Sequence, residues 1–379
     1  MNRLSKKHLL TFSIIASILI ACVVSYNMLL DPYNAYPSVH LSMFNKARAA
    51  GAYQRGRAES IQANQWSTLL MGSSIMEVGF DAANSNISDR NAHNIALNGT
   101  TLPEITAAFE YMLENKHPIK RIMLTFDNHW LWYAKPITNS YKESPLNPDY
   151  SLVDYHASNL LGFGTIENTN KILINYFNDT PPAYTSFGQR VKPILKPSTS
   201  QHKVFAKHSA LASDDKQHAD WSQQINLKRL EEFITTSQNN NIKLTIALPP
   251  MHAISIQRMD DYSLKHWEQG KRKLVQLVER LNQQSLDSPT IDLWDFATIN
   301  TYSTESIPSP KDTSRMKYFW DKIHITSTTG DIILNLIFNQ ATPSTNTPYI
   351  GSQITSSNID SHLNTIRDAR SELPPLLDK

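Results

Sequence analysis

The stretch STLLMGSSIMEVGFD, residues 67–81, decides the fold that the sequence predicts. Its residues Leu69–Met71 are continuously apolar, a pattern typical of a strand buried on both faces of a parallel sheet. Gly72-Ser73-Ser74 ends this run. A serine at the carboxyl end of such a strand stands in the crevice where open α/β sheets bind ligands. The alternative interpretation is a tight turn in which a serine caps the next helix.

A second motif lies far downstream in YFWDKIHIT, residues 318–326. Asp321 and His324 are three residues apart and precede the apolar segment 332–338, which predicts a last helix. A carboxylate beside an imidazole fixes its tautomer and stabilises its cation, as a serine nucleophile requires of its base. The pattern therefore predicts Ser74 as nucleophile, His324 as base and Asp321 as the group that orients the base. Ser73 and Trp320 are candidates for substrate contact.

Apolar segments that alternate between strand-like and helix-like patterns connect these two motifs. The predicted strands after the first are 94–97, 119–126, 242–248 and 290–296, and the predicted helices between them include 103–113, 227–236 and 262–281. This alternation predicts an α/β fold with a doubly wound parallel sheet.

Polar and aromatic side chains follow two of the predicted strands directly. The third strand is followed by Asp127, Asn128, His129 and Trp130, and the fourth by His252. Aromatic residues at this edge can line a sugar or acyl pocket, or they can close the sheet against an insertion. His129 is a rival for the role of base. His252 can face the pocket or belong to a turn.

The N-terminus predicts a membrane anchor. Leu9–Leu30 holds 22 positions without a charge, enough to cross a bilayer, and Arg3, Lys6 and Lys7 precede it. The basic flank predicts a cytoplasmic N-terminus and an extracytoplasmic body. The alternative is a lipoprotein cleaved and lipidated at Cys22, but the apolar run continues past that cysteine.

The composition excludes several classes of protein. A net charge of +2 without a basic run beyond the N-terminus argues against a nucleic-acid partner, and a single cysteine excludes an internal disulfide and a cysteine-rich metal site. We expect neither a metal nor a cofactor. The predicted organisation is a basic stub (1–8), the anchor (9–30), a linker with a juxtamembrane helix (31–64), an α/β domain (65–340) with an insertion (134–215), and a loosely ordered tail (341–379) with one short helix near 362–369.

These motifs together resemble those of the SGNH (GDSL-like) hydrolase superfamily. The resemblance implies an α/β fold, which in this chain carries insertions. The sequence is most similar to the superfamily's membrane-anchored bacterial branch, which includes alginate O-acetylation proteins and the D-alanine-transfer protein of teichoic acid systems. Gly72-Ser73-Ser74 stands at the family's G-D-S motif, Asn98-Gly99 at its oxyanion glycine, and Asp321 with His324 at its D-x-x-H. The third block departs, because Asp127 stands where the family has asparagine.

The resemblance implies a serine esterase or O-acyltransferase, with acetyl as the expected acyl group. Backbone N–H groups of Ser74 and Gly99 would receive the oxyanion. An ionised Asp127 cannot donate a hydrogen bond, so either Asn128 substitutes or that donor is missing. The implied substrates are an envelope polysaccharide or a small acylated molecule, and a membrane protein could deliver the acyl group. The competing class is a non-catalytic, membrane-tethered glycan-binding or assembly protein. It is favoured because Ser73 and Asp127 stand where the family has aspartate and asparagine.

Overall fold

The computed structural model describes residues 3–48, 55–87, 89, 91–191, 193–207, 213–339 and 349–377. The chain forms two compact units. The anchor unit comprises Met1–Asn64 and Thr138–Tyr184, and the sheet unit comprises Gln65–Ile137 and Thr185–Lys379. Parts of the predicted linker (49–54), insertion (208–212) and tail (340–348 and 378–379) lie outside the described residues.

The sheet unit contains a six-stranded sheet in the order β2-β1-β3-β4-β5-β6. The strands are β1 (Thr68–Met71), β2 (Ala92–Asn94), β3 (Arg121–Thr125), β4 (Lys243–Leu248), β5 (Asp292–Asp295) and β6 (Ser352–Gln353). The first five are parallel, and β6 pairs with β5 in the antiparallel direction. The first five follow the strand order of flavodoxin-like doubly wound sheets, which confirms the predicted α/β fold.

The helices of both units follow in chain order. They are α1 (Arg3–Leu30), α2 (Arg57–Gln62), α3 (Ser74–Gly79), α4 (Leu102–Glu114), α5 (Asn139–Lys142), α6 (Leu152–Leu161), α7 (Phe163–Phe177), α8 (Gln201–Ala206), α9 (Ser213–Asn239), α10 (Ala253–Gln257), α11 (Asp261–Gln284), α12 (Ser327–Asn339) and α13 (Ile359–Glu372). Two 3₁₀ helices span Ser42–Ala47 and Asn128–Leu131.

Alternate side chains of the central strands pack into two separate layers of the core, one on each face of the sheet. Leu70 and Met123 lie in one buried cluster with Met76 of α3 and Ile333 of α12. Another group of helices, α4, α9 and α11, packs together through contacts such as that between Phe109 and Phe233, whose ring centroids lie 4.8 Å apart. Because side chains alternate across a strand, burial on both faces explains the continuous apolar pattern of β1.

The C-terminal segment is more ordered than the sequence predicts. Residues 349–377 include β6 and the 14-residue helix α13, which contains and extends the short helix predicted near 362–369. His362 of α13 lies 2.8 Å from the buried carboxylate of Asp295, which also accepts a 2.6 Å hydrogen bond from the buried Lys271 ammonium. A buried charge is tolerated when it is paired in this way, so this network ties the tail to the end of β5.

The anchor unit is built on α1, a 28-residue helix whose segment Lys6–Leu30 is long and apolar enough to cross a membrane. It begins six residues before the predicted span and ends at the same residue, Leu30. The chain then turns at Asp31, whose buried carboxylate accepts the backbone N–H groups of Ala35 and Tyr36. Helices α6 and α7, from the predicted insertion, pack against α1.

The predicted insertion is divided between the two units. Its residues Thr138–Tyr184 belong to the anchor unit, and those from Thr185 onward belong to the sheet unit. In the sheet unit, the buried side chain of Gln201 donates to the carbonyl groups of Phe319 and Trp320, while its oxygen accepts the N–H of Met316. This part of the insertion therefore supports the loop that carries Asp321.

Candidate active site

Ser74 is the first residue of α3, and three contacts determine its position. A Cβ at Gly72 would lie 2.1 Å from Thr125 Oγ1, so only glycine lets the ends of β1 and β3 approach this closely. Asn94, at the end of β2, donates to the carbonyl groups of Met76 and Phe80 at 2.8 Å each. The start of α3 is thus held at the carboxyl edge of the parallel strands.

His324 reaches the same edge from a tight loop before α12. The carboxylate oxygen Oδ1 of Asp321 accepts the backbone N–H groups of Ile323 and His324, both at 2.9 Å. The peptide N–H of Trp320 donates to the carbonyl oxygen of His324 at 2.8 Å, which closes the loop. Both residues precede α12, and the Asp321 side chain folds back toward the ring.

Close packing of α3 against α12 keeps the two sides of the site in register. A Cβ at Gly330 would lie 1.7 Å from the carbonyl oxygen of Gly79, so no side chain fits there. Gly79 ends the helix that Ser74 begins, and Gly330 lies in the first turn after the His324 loop. Backbone contact between these two helices fixes the separation of serine and histidine.

Ser74, His324 and Asp321 form a continuous chain of hydrogen-bonding groups. Ser74 Oγ lies 2.8 Å from His324 Nε2, and His324 Nδ1 lies 2.7 Å from Asp321 Oδ2. All three side chains are partly exposed or close to the surface rather than sealed in the core. Burial tends to raise the pKa of the Asp321 carboxyl, but the hydrogen bond and charge of His324, with the two backbone N–H donors, hold that pKa below its usual value. An ionised carboxylate therefore faces the imidazole.

Asp127 lies beside this chain in an unusual state. Its side chain is completely buried, and Ser73 Oγ donates to its Oδ2. Its other oxygen, Oδ1, has no hydrogen-bond partner among the described residues. Burial raises the pKa of the Asp127 carboxyl, against the opposing effects of His129, the Ser73 hydrogen bond and His324. The pKa of this buried carboxyl therefore lies above its usual value, opposite in direction to that of Asp321.

His129 and Lys135 complete the polar surroundings of Asp127. His129 is partly exposed, with Nδ1 3.9 Å from Asp127 Oδ2, and it makes no described contact with Ser74. Burial lowers the pKa of His129, the charge of Asp127 opposes this, and the positive charges of Lys135 and His324 lower it further. Of the two rival histidines, His324 is the one that contacts the serine.

Gly99 follows β2 in a left-handed conformation, with φ of 72°, which favours glycine. Its carbonyl oxygen lies 3.3 Å from Lys135 Nζ. Sequence reasoning missed Lys135, because a lysine in an irregular segment after a strand carries no periodic signal. Only the fold brings it to Gly99 and into the electrostatic environment of His129.

Asn128 faces the core. Its amide donates to the carbonyl of Pro249 at 2.9 Å, and its oxygen accepts the indole N–H of Trp267 at 2.9 Å. These bonds join β3, β4 and α11 just below the edge of the sheet. The expectation that Asn128 substitutes as an oxyanion donor is not supported, because the side chain is buried and its groups are engaged elsewhere.

Two residues predicted to contact substrate are buried in the core. Trp130 is packed edge-on against Phe126, with ring centroids 5.3 Å apart. His252 is completely buried; it accepts the N–H of Ile254 through Nδ1 and contacts the Glu305 carbonyl through Nε2. Burial lowers the pKa of His252 to about 4. The structure therefore places both side chains inside the core rather than at an open surface.

Trp320 and Ser73 remain close to the site. Trp320 is partly exposed next to Asp321, whereas Ser73 is buried and directed at Asp127 rather than at His324. Among the described residues, no group of three His, Cys, Asp or Glu side chains is arranged to hold a metal ion. The polar groups at this edge of the sheet are thus a serine, two histidines, a lysine and two carboxyl groups with opposite pKa shifts.

No family model and no curated protein matches the sequence. Among solved structures, a "putative acylhydrolase" from Bacteroides fragilis is similar over 75% of this chain and 94% of its own, with 12% identity and a TM-score of 0.33. A "putative platelet activating factor" from Streptococcus pneumonia is similar over 75% and 92%, with 8% identity and a TM-score of 0.30. These values are too low to assign a family or an activity to this chain.

Proposed function

We propose that this protein is a serine esterase or O-acyltransferase of the SGNH type. The observation that carries the proposal is the hydrogen-bonded chain from Ser74 through His324 to an ionised Asp321. These three side chains come from two segments 250 positions apart in the sequence. Core packing alone gives no reason for a hydroxyl, an imidazole and a carboxylate to align at the edge where α/β sheets bind ligands.

The proposed reaction proceeds through an acyl-enzyme. His324 Nε2 takes the proton of Ser74 Oγ as the oxygen forms a bond to the acyl carbon. The tetrahedral intermediate then breaks its bond to the leaving alkoxide, which receives the proton from Nε2. Water or a sugar hydroxyl then attacks the acyl carbon while His324 Nε2 takes its proton. The bond from the acyl carbon to Ser74 Oγ breaks, and Oγ receives that proton from Nε2. Asp321 accepts a hydrogen bond from Nδ1 throughout and stabilises the imidazolium.

The oxyanion needs donors, and we propose the backbone N–H groups of Ser74 and Gly99 for this role. Each such donor is typically worth about 3–4 kcal/mol in the barrier. We further propose that Asp127 is a neutral acid that holds Ser73 beside the nucleophile; because its side chain is completely buried, it does not itself reach the oxyanion. Since Oδ2 accepts from Ser73, the proton is placed on Oδ1, the oxygen without a partner among the described residues. A protonated carboxyl can donate where an ionised one cannot.

We propose that α1 anchors the chain in a bacterial inner membrane with the body on the periplasmic side. Its length and apolarity support a single span, and the basic residues before it support a cytoplasmic N-terminus. A catalytic unit tethered outside the cytoplasm meets envelope polysaccharides, so we propose these as substrates, with acetyl as the acyl group. A membrane protein that delivers the acyl group fits the transferase variant.

A non-catalytic glycan-binding or assembly role is the second candidate. It is favoured by Ser73 and Asp127, which replace two residues of the resembled motif. If Asp127 is ionised in the working protein, its charge repels an oxyanion and the site loses electrostatic support. The two candidates therefore differ in whether Ser74 reacts.

A fluorophosphonate probe tests the nucleophile without knowledge of the substrate. We expect wild-type protein to be labelled at Ser74, with the modified peptide identified by mass spectrometry, and Ser74→Ala to lose the label. Ser73→Ala is the matched control, because its hydroxyl faces Asp127 and not the base. Absence of labelling in the wild-type protein, or persistence in Ser74→Ala, contradicts the proposal. Acetyl-ester turnover with and without added sugar acceptors then separates hydrolysis from transfer.

A further inference from the structure

The turn between α6 and α7, Leu161–Phe163, lies on the membrane side of the anchor unit. Early in α6, the ring of His156 stacks on that of Tyr36, which lies beyond the end of α1. Later in α6, the Leu160 carbonyl accepts a 2.8 Å hydrogen bond from Asn27, which lies within α1. Helix α6 therefore runs back along α1, toward its N-terminal end.

Helix α7 then returns in the opposite direction. Its Thr169 donates a 2.7 Å hydrogen bond to Asn27 Oδ1, and its Ile172 packs in a cluster with Leu30 and Phe44. Farther along, Asn175 donates to the carbonyl of Ala47. Phe163 precedes Thr169 by six residues, or about 9 Å of helix, on the side toward the N-terminus of α1.

The length of α1 places this turn at the depth of the bilayer. From Leu9 to Cys22, every residue except Ala16 is exposed, and this stretch spans only about 21 Å. A hydrocarbon core of about 30 Å needs about 20 residues, which extends from Leu9 to Met28. Partial burial by the rest of the anchor unit already begins at Val23. The last turns of the span are thus covered by protein within the thickness of the membrane.

Asn27 supports this depth independently. It is completely buried although it lies in an otherwise apolar run, and both ends of its amide are hydrogen-bonded, to Leu160 and Thr169. Because Glu167 and Lys171 flank Thr169 on α7, Asn27 lies at the edge of the hydrocarbon region, where a polar side chain is costly unless protein groups satisfy it. The α6–α7 hairpin supplies those groups.

The surface chemistry of the turn matches lipid. Phe163 is 93% exposed and Leu161 is 47% exposed, with only glycines beside them at positions 162 and 164. One helical turn farther along α7, Glu167 pairs with Lys171, and both are exposed. An apolar tip followed by a charged pair one turn away matches a segment that enters the acyl region and stops at the headgroups.

We propose that Leu161–Phe163 inserts into the bilayer beside α1, as a second membrane contact on the leaflet where α1 ends. The proposal rests on α1 being a membrane span, as proposed above. The insertion fixes the height and orientation of the anchor unit at the membrane surface, which a single helix alone leaves free to rotate.

Spin labels in the full-length protein, reconstituted in phosphatidylcholine and phosphatidylglycerol vesicles, test this inference. Single cysteines are introduced in a Cys22→Ala background at Phe163, at Ile14 and at Asp149. Ile14 is an exposed position of α1, and Asp149 is an exposed residue of the anchor unit just before α6. Collision rates are measured with oxygen, which concentrates in hydrocarbon, and with a water-soluble nickel chelate.

We expect Ile14→Cys and Phe163→Cys to collide with oxygen several-fold more than with the nickel chelate, and Asp149→Cys to show the reverse. An aqueous signal at Phe163 with a lipid signal at Ile14 overturns the insertion and leaves the anchor standing. An aqueous signal at Ile14 overturns the anchor and the insertion together. Shielding of the Phe163 label from both reagents indicates a protein partner, which also overturns the lipid assignment.

Discussion

Replacing Asp321 by asparagine tests the direction of each hydrogen bond in the Ser74–His324–Asp321 chain. In the protein, Oδ1 of Asp321 accepts two backbone N–H groups, and Oδ2 accepts the ring N–H of His324. An asparagine keeps the two backbone bonds only if its oxygen takes the Oδ1 position. Its NH₂ group then faces Nδ1, which must accept, so the ring carries its proton on Nε2.

The expected loss of activity is large because Nε2 is the atom that faces the serine, 2.8 Å away. With a proton on Nε2, the ring has no lone pair to receive the proton of Ser74. In serine triads, this tautomer change lowers kcat by about 10⁴. We expect a loss of about 10³–10⁴, equivalent to ~4–5.5 kcal/mol in the barrier. Folding should suffer less, by about 1–2 kcal/mol, since both backbone bonds survive.

Two rates report this loss: fluorophosphonate labelling of Ser74 and hydrolysis of p-nitrophenyl acetate. Asp312→Asn is the matched control. Asp312 also accepts a backbone N–H, from Ser314 at 2.8 Å, but it is exposed and has no part in the Ser74–His324–Asp321 chain. The control should retain both rates. If Asp321→Asn lowers them by less than about tenfold while the protein stays folded, the assigned tautomer and the role of Asp321 are refuted.

Three further predictions concern Asp127, Gly72 and Cys22. Because the pKa of Asp127 is raised in the folded state, the unfolded chain loses this proton first as the pH rises, and wild-type stability falls from about pH 4 upward until the raised pKa is passed. Asp127→Asn cannot lose this proton, so urea denaturation should show it gaining stability relative to the wild type over this pH range. A stability difference that does not change with pH contradicts the neutral acid. Gly72→Ala should cost about 1–3 kcal/mol and impair labelling, because its Cβ meets Thr125; unchanged stability contradicts the close approach. Cys22→Ala should stay in the membrane fraction if Leu9–Leu30 is an uncleaved anchor, whereas release into the soluble fraction indicates a lipidated cysteine.

The fold was predictable where one physical signal dominated. Strands buried on both faces must be continuously apolar, and this pattern located β1, β3 and β4 within a few residues of their observed ends. Helix α11 was predicted as 262–281 and spans Asp261–Gln284, since a long amphipathic period is hard to mistake. In each case the signal lies within one continuous segment.

The full length of the C-terminal helix and the network around Asp295 were not predictable in this way, although a short helix was expected near 362–369. A polar segment such as α13 resembles a solvated tail until its partners are known. Here His362 reaches a buried carboxylate on β5 that also holds Lys271. His252 presents the opposite case, since a histidine after a strand resembles a ligand group but here caps α10 inside the core. Both outcomes depend on burial, which is a property of distant contacts.

Asp127 shows how burial also changes the chemistry expected of a residue type. At its ordinary pKa an aspartate is ionised at neutral pH, and it then opposes any negative charge that develops beside it. The structure seals this side chain from water and gives one oxygen a hydroxyl donor, while no described cation lies within ion-pairing distance except the weakly basic His129 at 3.9 Å. A buried carboxylate without a strong cation binds a proton more readily than one in water. A neutral carboxyl carries one O–H donor, which an ionised carboxylate lacks, so the protonation state of Asp127 decides whether it can donate to a neighbouring group.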